Sequence, residues 1–224
     1  MLPLALTALA LAGPLPDLDQ ATPFGASVVE RGGRSLLVFG SAVDNVGRGP
    51  VVVEGRRVGG VMRTWQVIGA RRIRLPVRLH YVRSETHRHW HFQGFERYEL
   101  RRVDGTLVGR DRKTGFCLRD AYETRALGHR PVWTTGCARG RPGALIVRQG
   151  ISPGFGDDYV PLKEGQSIDI TGLRGRFVLV HRVNSDRLLR ESSYSNNAAS
   201  VLLELGDGRA TVLRRCPSRA ACGT

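Results

Sequence analysis

Short stretches in which hydrophobic and polar residues alternate recur along the 224-residue chain. The clearest stretch runs from Ile73 to Tyr81, where apolar residues at every second position are separated mainly by arginine and histidine. A period of two is typical of a β-strand with one buried face. Short β-like runs between turn residues predict further strands at 35–39, 51–53, 98–103, 106–110, 167–170, 176–183 and 200–205.

Turn residues separate these segments, and no helical periodicity of useful length occurs. Asp104-Gly105 is a strong two-residue hairpin signal between segments 98–103 and 106–110. The 28 glycines and the aromatic content of 7% also fit a turn-rich β protein. We therefore predict an all-β fold, an antiparallel β-sandwich with long loops and little helix, and a loop-rich segment over 121–148.

Three of the six histidines, His87, His89 and His91, occupy alternate positions in one short segment. On an extended strand all three would project from the same face. Three imidazoles can bind one ion and leave positions open, as in a catalytic metal site, and the ligand type alone admits zinc, copper, iron or nickel. The alternative interpretation is a solvated histidine-rich turn.

The hairpin signal also bears on Lys113. The strand pairing that a two-residue turn implies places Lys113 opposite Glu96, but on the face of the sheet opposite the histidines. A β-bulge at Gly94 or Gly109 would reverse that parity. We predict a bulge at one of these two glycines.

Residues 1–12 form an apolar run that ends in Ala10-Leu11-Ala12, which is a small-x-small cleavage pattern. This pattern is typical of a signal peptide, and the run is too short to span a bilayer. We therefore expect a secreted or extracytoplasmic protein with a single domain over 13–224.

The four cysteines are even in number and lack a C-x-x-C metal-binding spacing. In an exported protein they are expected to form disulfides, with buried reduced thiols as the alternative. We predict the pairs Cys117–Cys137 and Cys216–Cys222.

The formal net charge is +14, and almost all the positive charge comes from arginine, because the chain contains only two lysines, Lys113 and Lys163. Such a charge raises the possibility of a polyanionic partner. However, the arginines are scattered, and no basic helix or RNA-binding aromatic motif accompanies them. We expect neither a specific nucleic-acid partner nor a membrane span, and the sequence leaves the oligomeric state open.

Several separated stretches resemble, in order, the catalytic domain of the lysyl oxidase family, the copper amine oxidases that build their own quinone. The resemblance covers roughly residues 85–205. Its motifs are His87-x-His89-x-His91, segment 95–100, segment 113–120, segment 149–154 with 157–159, segment 168–171 and Glu191-x-x-Tyr194-x-Asn196-Asn197.

The resemblance implies that His87, His89 and His91 bind copper. It also implies that Tyr159 is oxidised and joined to Lys113, which gives the cofactor lysine tyrosylquinone. The implied reaction takes a primary amine, a lysine-type side chain or a small amine, together with molecular oxygen. It yields an aldehyde, ammonia and hydrogen peroxide.

The residues give separate support for Lys113. In a chain that almost wholly replaces lysine by arginine, one of the two lysines stands where an uncharged nucleophilic amine is needed, and arginine stays protonated. The catalytic base should be a carboxylate or an imidazole. Asp157 is our first candidate and Asp158 our second, with solvated turn acids as the alternative. Without the resemblance, Lys113 and Tyr159 would be taken as a surface lysine and a packing tyrosine.

The chain departs from the animal enzymes in some places. Arg97 stands where they carry a histidine, and most of their disulfides are missing, which resembles the bacterial branch of the family. Two other functions remain open, namely a cupin-like metalloenzyme with Glu96 as a fourth ligand and a non-catalytic exported copper-binding module. The charge of +14 favours small amines, or amines on an acidic polymer, over lysine-rich substrates.

Overall fold

A computed structural model describes residues 13–84, 87–111, 115–125, 130–162 and 165–223. Within these ranges the chain forms seventeen β-strands and no helix, which confirms the predicted all-β class. The expected signal peptide over 1–12 and Lys113 lie outside the described residues. The strands are β1 (Leu18–Gln20), β2 (Phe24–Arg31), β3 (Arg34–Asn45), β4 (Val51–Val58), β5 (Val61–Ile68), β6 (Arg71–Tyr81), β7 (Trp90–Gln93), β8 (Glu96–Arg102), β9 (Leu107–Arg110), β10 (Gly115–Phe116), β11 (Tyr122–Glu123), β12 (Ile146–Ile151), β13 (Phe155–Tyr159), β14 (Ser167–Asp169), β15 (Gly175–Val183), β16 (Ala198–Gly206) and β17 (Arg209–Cys216).

The strands form three antiparallel sheets. The first has the order β1-β3-β13-β11, and β2 and β14 pair with β3 as well. The second has the order β10-β7-β6-β5-β4-β12, and the third has the order β17-β16-β15-β8-β9. The sheets share one apolar core, as expected for a sandwich-like fold, with fully buried members that include Leu37, Phe39, Phe92, Leu100, Phe116 and Leu179.

The hairpin between β8 and β9 differs from the prediction at its turn. The Arg102 amide donates to the Thr106 carbonyl at 2.8 Å, so the loop contains three residues instead of two. The third of them, Gly105, has φ +89°, a conformation that favours glycine. A three-residue loop with glycine at this position is a common alternative to the two-residue turn.

A register shift follows directly in the same hairpin. Leu100 pairs with Gly109 and Arg101 with Leu107, which leaves Val108 as the extra residue next to Gly109. The predicted irregularity is therefore adjacent to Gly109. It offsets the longer turn and restores, within this hairpin, the pairing that the two-residue turn implied. The face on which Lys113 lies stays a prediction, because Lys113 is outside the described residues.

Both predicted disulfides, Cys117–Cys137 and Cys216–Cys222, are present. The first holds the loop-rich segment against the second sheet, because the Cys137 carbonyl accepts a hydrogen bond from the Trp90 amide at 3.0 Å. The described chain contains no helix long and apolar enough to cross a membrane.

Candidate metal and tyrosine site

The three histidines lie together, but not on one extended strand. β7 begins only at Trp90, so His87 and His89 precede it. The ring centroids of His87 and His91 are 5.4 Å apart, whereas residues four apart on a straight strand are separated by about 13 Å. The prediction of an extended strand is wrong, and a bend before β7 brings the side chains together.

The donor chemistry of this cluster fits a metal ion. The Nε2 atoms of His89 and His91 are 2.8 Å apart, and two nitrogens bound at about 2.0 Å to one ion lie roughly 2.8–3.3 Å apart. His87 presents its ring to both, with its centroid 5.5 Å from that of His89. Among the described residues, however, no group of three histidine, cysteine or acidic side chains is arranged to hold a metal ion.

The side of the second sheet on which His91 lies follows from strand pairing. His91 pairs with His80 of β6, and directly paired residues share a face. Its neighbours Trp90 and Phe92 point to the opposite, core-facing side and are buried. The indole of Trp90 donates to the Arg141 carbonyl at 3.0 Å, which anchors β7 from that side.

Tyr159 is almost completely buried at the end of β13, where it pairs with Ser41 of β3. Its hydroxyl donates to Oδ2 of Asp157 at 2.8 Å and lies 3.2 Å from the Cys117 carbonyl. Asp157 is 1% exposed and shares the face of β13 with Tyr159. Asp158 alternates to the other face and is half-buried, so the structure separates the two base candidates.

Burial governs the ionisation of this pair. It raises the pKa of Asp157 to about 8, against the opposing effects of the Tyr159 hydroxyl and the Arg119 guanidinium. The Arg119 Nε atom lies 3.6 Å from Oδ1 of Asp157. Burial also raises the pKa of Tyr159 well above its usual value of 10, and the Asp157 carboxylate adds to this effect. The phenol is therefore protonated at neutral pH.

β10 separates the tyrosine from the histidines. The Phe116 ring lies edge-on to Tyr159, with centroids 5.1 Å apart. Gly115 packs against His91, since an added Cβ there would lie 2.7 Å from the His91 Cβ. Lys113, two residues before Gly115, is not among the described residues, and its distance from Tyr159 stays a prediction.

A buried polar network lies behind Tyr159. One carboxylate oxygen of Glu96 accepts from Ser41 at 2.8 Å and from Gln20 at 3.2 Å, and the other accepts from Tyr98 at 2.5 Å. Both oxygens of Glu96 are thus engaged by hydrogen-bond donors, which disfavours the cupin-like interpretation.

His181 belongs to the same network and was not a sequence candidate. It is fully buried, it contacts Ser41 Oγ through Nδ1 at 3.0 Å, and its ring packs on Tyr98. Burial lowers the pKa of His181 to about 3, so the imidazole is neutral. Because the network joins β1, β3, β8 and β15, no local sequence pattern could have revealed it.

These features define an all-β protein with a candidate metal-binding histidine cluster beside a buried tyrosine–carboxylate pair. The lysyl oxidase family model matches residues 63–216, which is more than half of the chain. The chain belongs to the lysyl oxidase family.

Individual relatives are more distant. The chain is 28% identical over 166 residues to lysyl oxidase homolog 2A of Danio rerio, covering 73% of this chain and 18% of that protein. It is 34% identical over 119 residues to protein-lysine 6-oxidase of Rattus norvegicus, covering 50% and 25%. It is 27% identical over 187 residues to lysyl oxidase homolog 4 of Bos taurus, covering 83% and 20%. The chain thus spans about a fifth to a quarter of the length of these relatives.

Proposed function

We propose that the protein is a copper-dependent amine oxidase that uses a lysine tyrosylquinone derived from Lys113 and Tyr159. The observation that carries the proposal is the placement of Tyr159. Its hydroxyl contacts the carbonyl of Cys117, which directly follows β10, and β10 packs against His91. Family motifs that are far apart in the sequence thus meet around one strand.

His87, His89 and His91 would hold copper through neutral imidazole nitrogens, which are suitable ligands for this metal. Copper would supply the chemistry by which oxygen oxidises Tyr159 to a quinone. That quinone would supply an electrophilic carbonyl and accept the electrons of the amine. The overall reaction converts a primary amine, oxygen and water to an aldehyde, ammonia and hydrogen peroxide.

Among the protein's own residues, Asp157 would act as the catalytic base that removes a proton from the amine substrate. Its carboxyl group is buried, it is held by the Tyr159 hydroxyl, and its pKa of about 8 lies close to the working pH that an efficient general base requires. Arg119 would stabilise the charged form that remains after Asp157 gives up a proton. Phe116 covers one edge of the Tyr159 ring and restricts the access of water to it.

The substrate would be a small amine, or an amine carried on an acidic polymer. The chain carries a net charge of +14, so lysine-rich substrates are repelled during encounter. The two disulfides are consistent with function in an oxidising compartment, and we propose a secreted or extracytoplasmic location. Oxidation rates of peptide amines of graded charge, measured at low salt, would test this substrate class. A preference for polylysine would contradict it.

The decisive experiment is peptide mass analysis of protein produced with copper, combined with quinone absorbance and peroxide release. We expect a covalent link between the peptides that contain Lys113 and Tyr159. The chain offers a matched control, because it has one other lysine. Lys163→Arg should keep the link and the activity, whereas Lys113→Arg and Tyr159→Phe should lose both.

Unmodified Lys113 and Tyr159 in fully copper-loaded protein would contradict the proposal. That result would favour a non-catalytic copper-binding protein. Tight binding of iron, manganese or zinc in place of copper would instead favour a cupin-like enzyme.

A further inference from the structure

The outer face of the second sheet is strongly cationic. Strand pairing places six arginines on this face, with Glu54 as its one acidic residue among the described strand positions. These arginines are Arg56, Arg63, Arg72, Arg74, Arg78 and Arg148. The face therefore carries six guanidinium groups against one carboxylate, although arginine is scattered along the sequence.

Three of these arginines form a row across neighbouring strands. Arg56 of β4 pairs directly with Arg63 of β5, and Arg63 pairs directly with Arg78 of β6. Adjacent strands are about 4.8 Å apart, and like charges placed directly opposite each other destabilise a sheet. A locally unfavourable arrangement that the fold does not need is characteristic of a functional surface.

Within the described chain, an acidic side chain pairs with only one of the three arginines of the row. Glu54 contacts Arg56 of the row at 2.6 Å, and it also contacts Arg148 at 2.6 Å and Arg72 at 3.2 Å. No described carboxylate forms an ion pair with Arg63 or Arg78, and both side chains are exposed. Two cations of the row are therefore available to an external anion.

An open cleft lies where the row crosses from β5 to β6. The register shifts between Arg63 and Trp65, so that Leu75, Pro76 and Val77 of β6 face one residue of β5. The cleft has a volume of about 480 Å³, and Arg63, Arg74 and Arg78 contribute to its lining. Bulges of this kind often adjoin binding sites.

We propose that this arginine row is a docking surface for a linear acidic polysaccharide that carries one carboxylate on each sugar. Arg63 and Arg78 lie on adjacent strands, which are about 4.8 Å apart, so closely spaced carboxylates of one polymer can meet both guanidinium groups. Glu54 is an internal example of this interaction, because its carboxylate lies among three guanidinium groups on the same face.

A single-stranded nucleic acid fits the same surface less well. Such ligands need exposed aromatic rings on which bases stack. Among the described outward positions of β4, β5 and β6, Trp65 is the single Phe, Tyr or Trp residue. The Arg74 guanidinium lies over its ring, 5.6 Å from the ring centroid. Charge is thus provided without a free stacking platform.

The row leads toward the histidine cluster. His80 follows Arg78 by two residues on the same face of β6, and His80 pairs with His91. A polymer bound along the row would therefore pass beside the candidate metal site. The docking surface itself does not depend on amine oxidase activity.

The test measures binding of polygalacturonate to the full-length protein at low salt, with neutral dextran as the negative control. We expect Arg63→Gln/Arg78→Gln to weaken binding about ten-fold, because two charge contacts are removed. Arg209→Gln/Arg214→Gln removes the same charge from exposed positions on β17 and should change binding less than about two-fold. Tyr159→Phe should bind as the wild type does, which separates docking from catalysis.

Stability provides a second measurement on the same variants. Arg63→Gln/Arg78→Gln should unfold at the same or a higher denaturant concentration, since it relieves a like-charge pairing. Equal loss of binding in both double variants would overturn the proposal. So would an absence of binding, or tighter binding of an oligothymidylate of equal charge.

Discussion

His91 and Tyr159 lie on opposite sides of β10, and two consecutive residues of that strand contact them. Gly115 packs against His91, and the Phe116 ring lies 5.1 Å from that of Tyr159. Successive side chains of a strand point to opposite faces, so β10 forms a one-strand partition between the histidine cluster and the buried tyrosine. Changes in β10 should therefore affect both.

Gly115→Ala should disturb the histidine cluster. The added methyl group would lie 2.7 Å from Cβ and 2.9 Å from Nδ1 of His91, so the imidazole must move. We expect copper affinity to fall about ten-fold or more and the free energy of unfolding to fall by about 1–3 kcal/mol. Copper titration and denaturant unfolding measure the two effects. Gly206→Ala, where an added Cβ meets nothing within 4 Å, is the control.

Asp157→Asn should change how stability depends on pH. Burial raises the pKa of Asp157 to about 8 from a usual value of 3.8. Between these values the unfolded chain has lost a proton that the folded protein keeps, so Asp157 lowers stability as pH rises, by up to about 1.4 kcal/mol per unit. Its contribution is fully present below about pH 4 and is lost as the pH rises through about 8.

Asparagine cannot titrate, so the stability of Asp157→Asn relative to the wild type should increase from pH 5 to pH 8, by about 2 kcal/mol or more. Denaturant unfolding at several pH values measures this difference. Asp158→Asn, which removes a half-buried carboxyl on the opposite face of β13, is the control. Parallel pH profiles for wild type and Asp157→Asn would contradict the prediction.

The two disulfides should differ in their effect on the site. Cys117–Cys137 joins cysteines that are 20 positions apart in the sequence, and its loss should lower the free energy of unfolding by about 3 kcal/mol. Backbone carbonyls of both cysteines also hold site elements, since that of Cys117 contacts the Tyr159 hydroxyl and that of Cys137 accepts from the Trp90 amide. Cys117→Ser/Cys137→Ser should therefore weaken copper binding as well.

Cys216→Ser/Cys222→Ser is the matched control for that double variant. This bridge joins cysteines only 6 positions apart in the sequence and lies at the end of the third sheet. Its removal should cost less stability and leave copper affinity unchanged. An equal loss of copper affinity in both double variants would indicate a general effect on folding.

Glu96→Gln should separate a structural role of Glu96 from metal binding. The carboxylate accepts hydrogen bonds from Ser41, Gln20 and Tyr98, and a glutamine would present an N–H group to some of these donors. We expect the free energy of unfolding to fall by about 1–3 kcal/mol, with copper affinity unchanged. His91→Gln should instead lower copper affinity and leave the free energy of unfolding nearly unchanged. Loss of metal in Glu96→Gln would support the cupin-like function.

The sequence alone was sufficient for the features that depend on local pattern. The period of two predicted the strand from Ile73 to Tyr81, which is β6, and the cysteine count with export chemistry led to both disulfides. Ordered motifs over residues 85–205 also identified the family, which the match over 63–216 confirms. These signals are local because backbone conformation and side-chain alternation are set by neighbouring residues.

The tertiary structure decided what local pattern could not. Tyr159 lies on a strand although Phe155-Gly156-Asp157-Asp158 has little strand propensity, because pairing with β3 outweighs that preference. The histidines meet through a bend before β7, and Arg56, Arg63 and Arg78 align only through strand register. Register and burial arise from contacts between residues distant in sequence, so the pKa of Asp157, the network of Glu96 and the arginine row follow from packing.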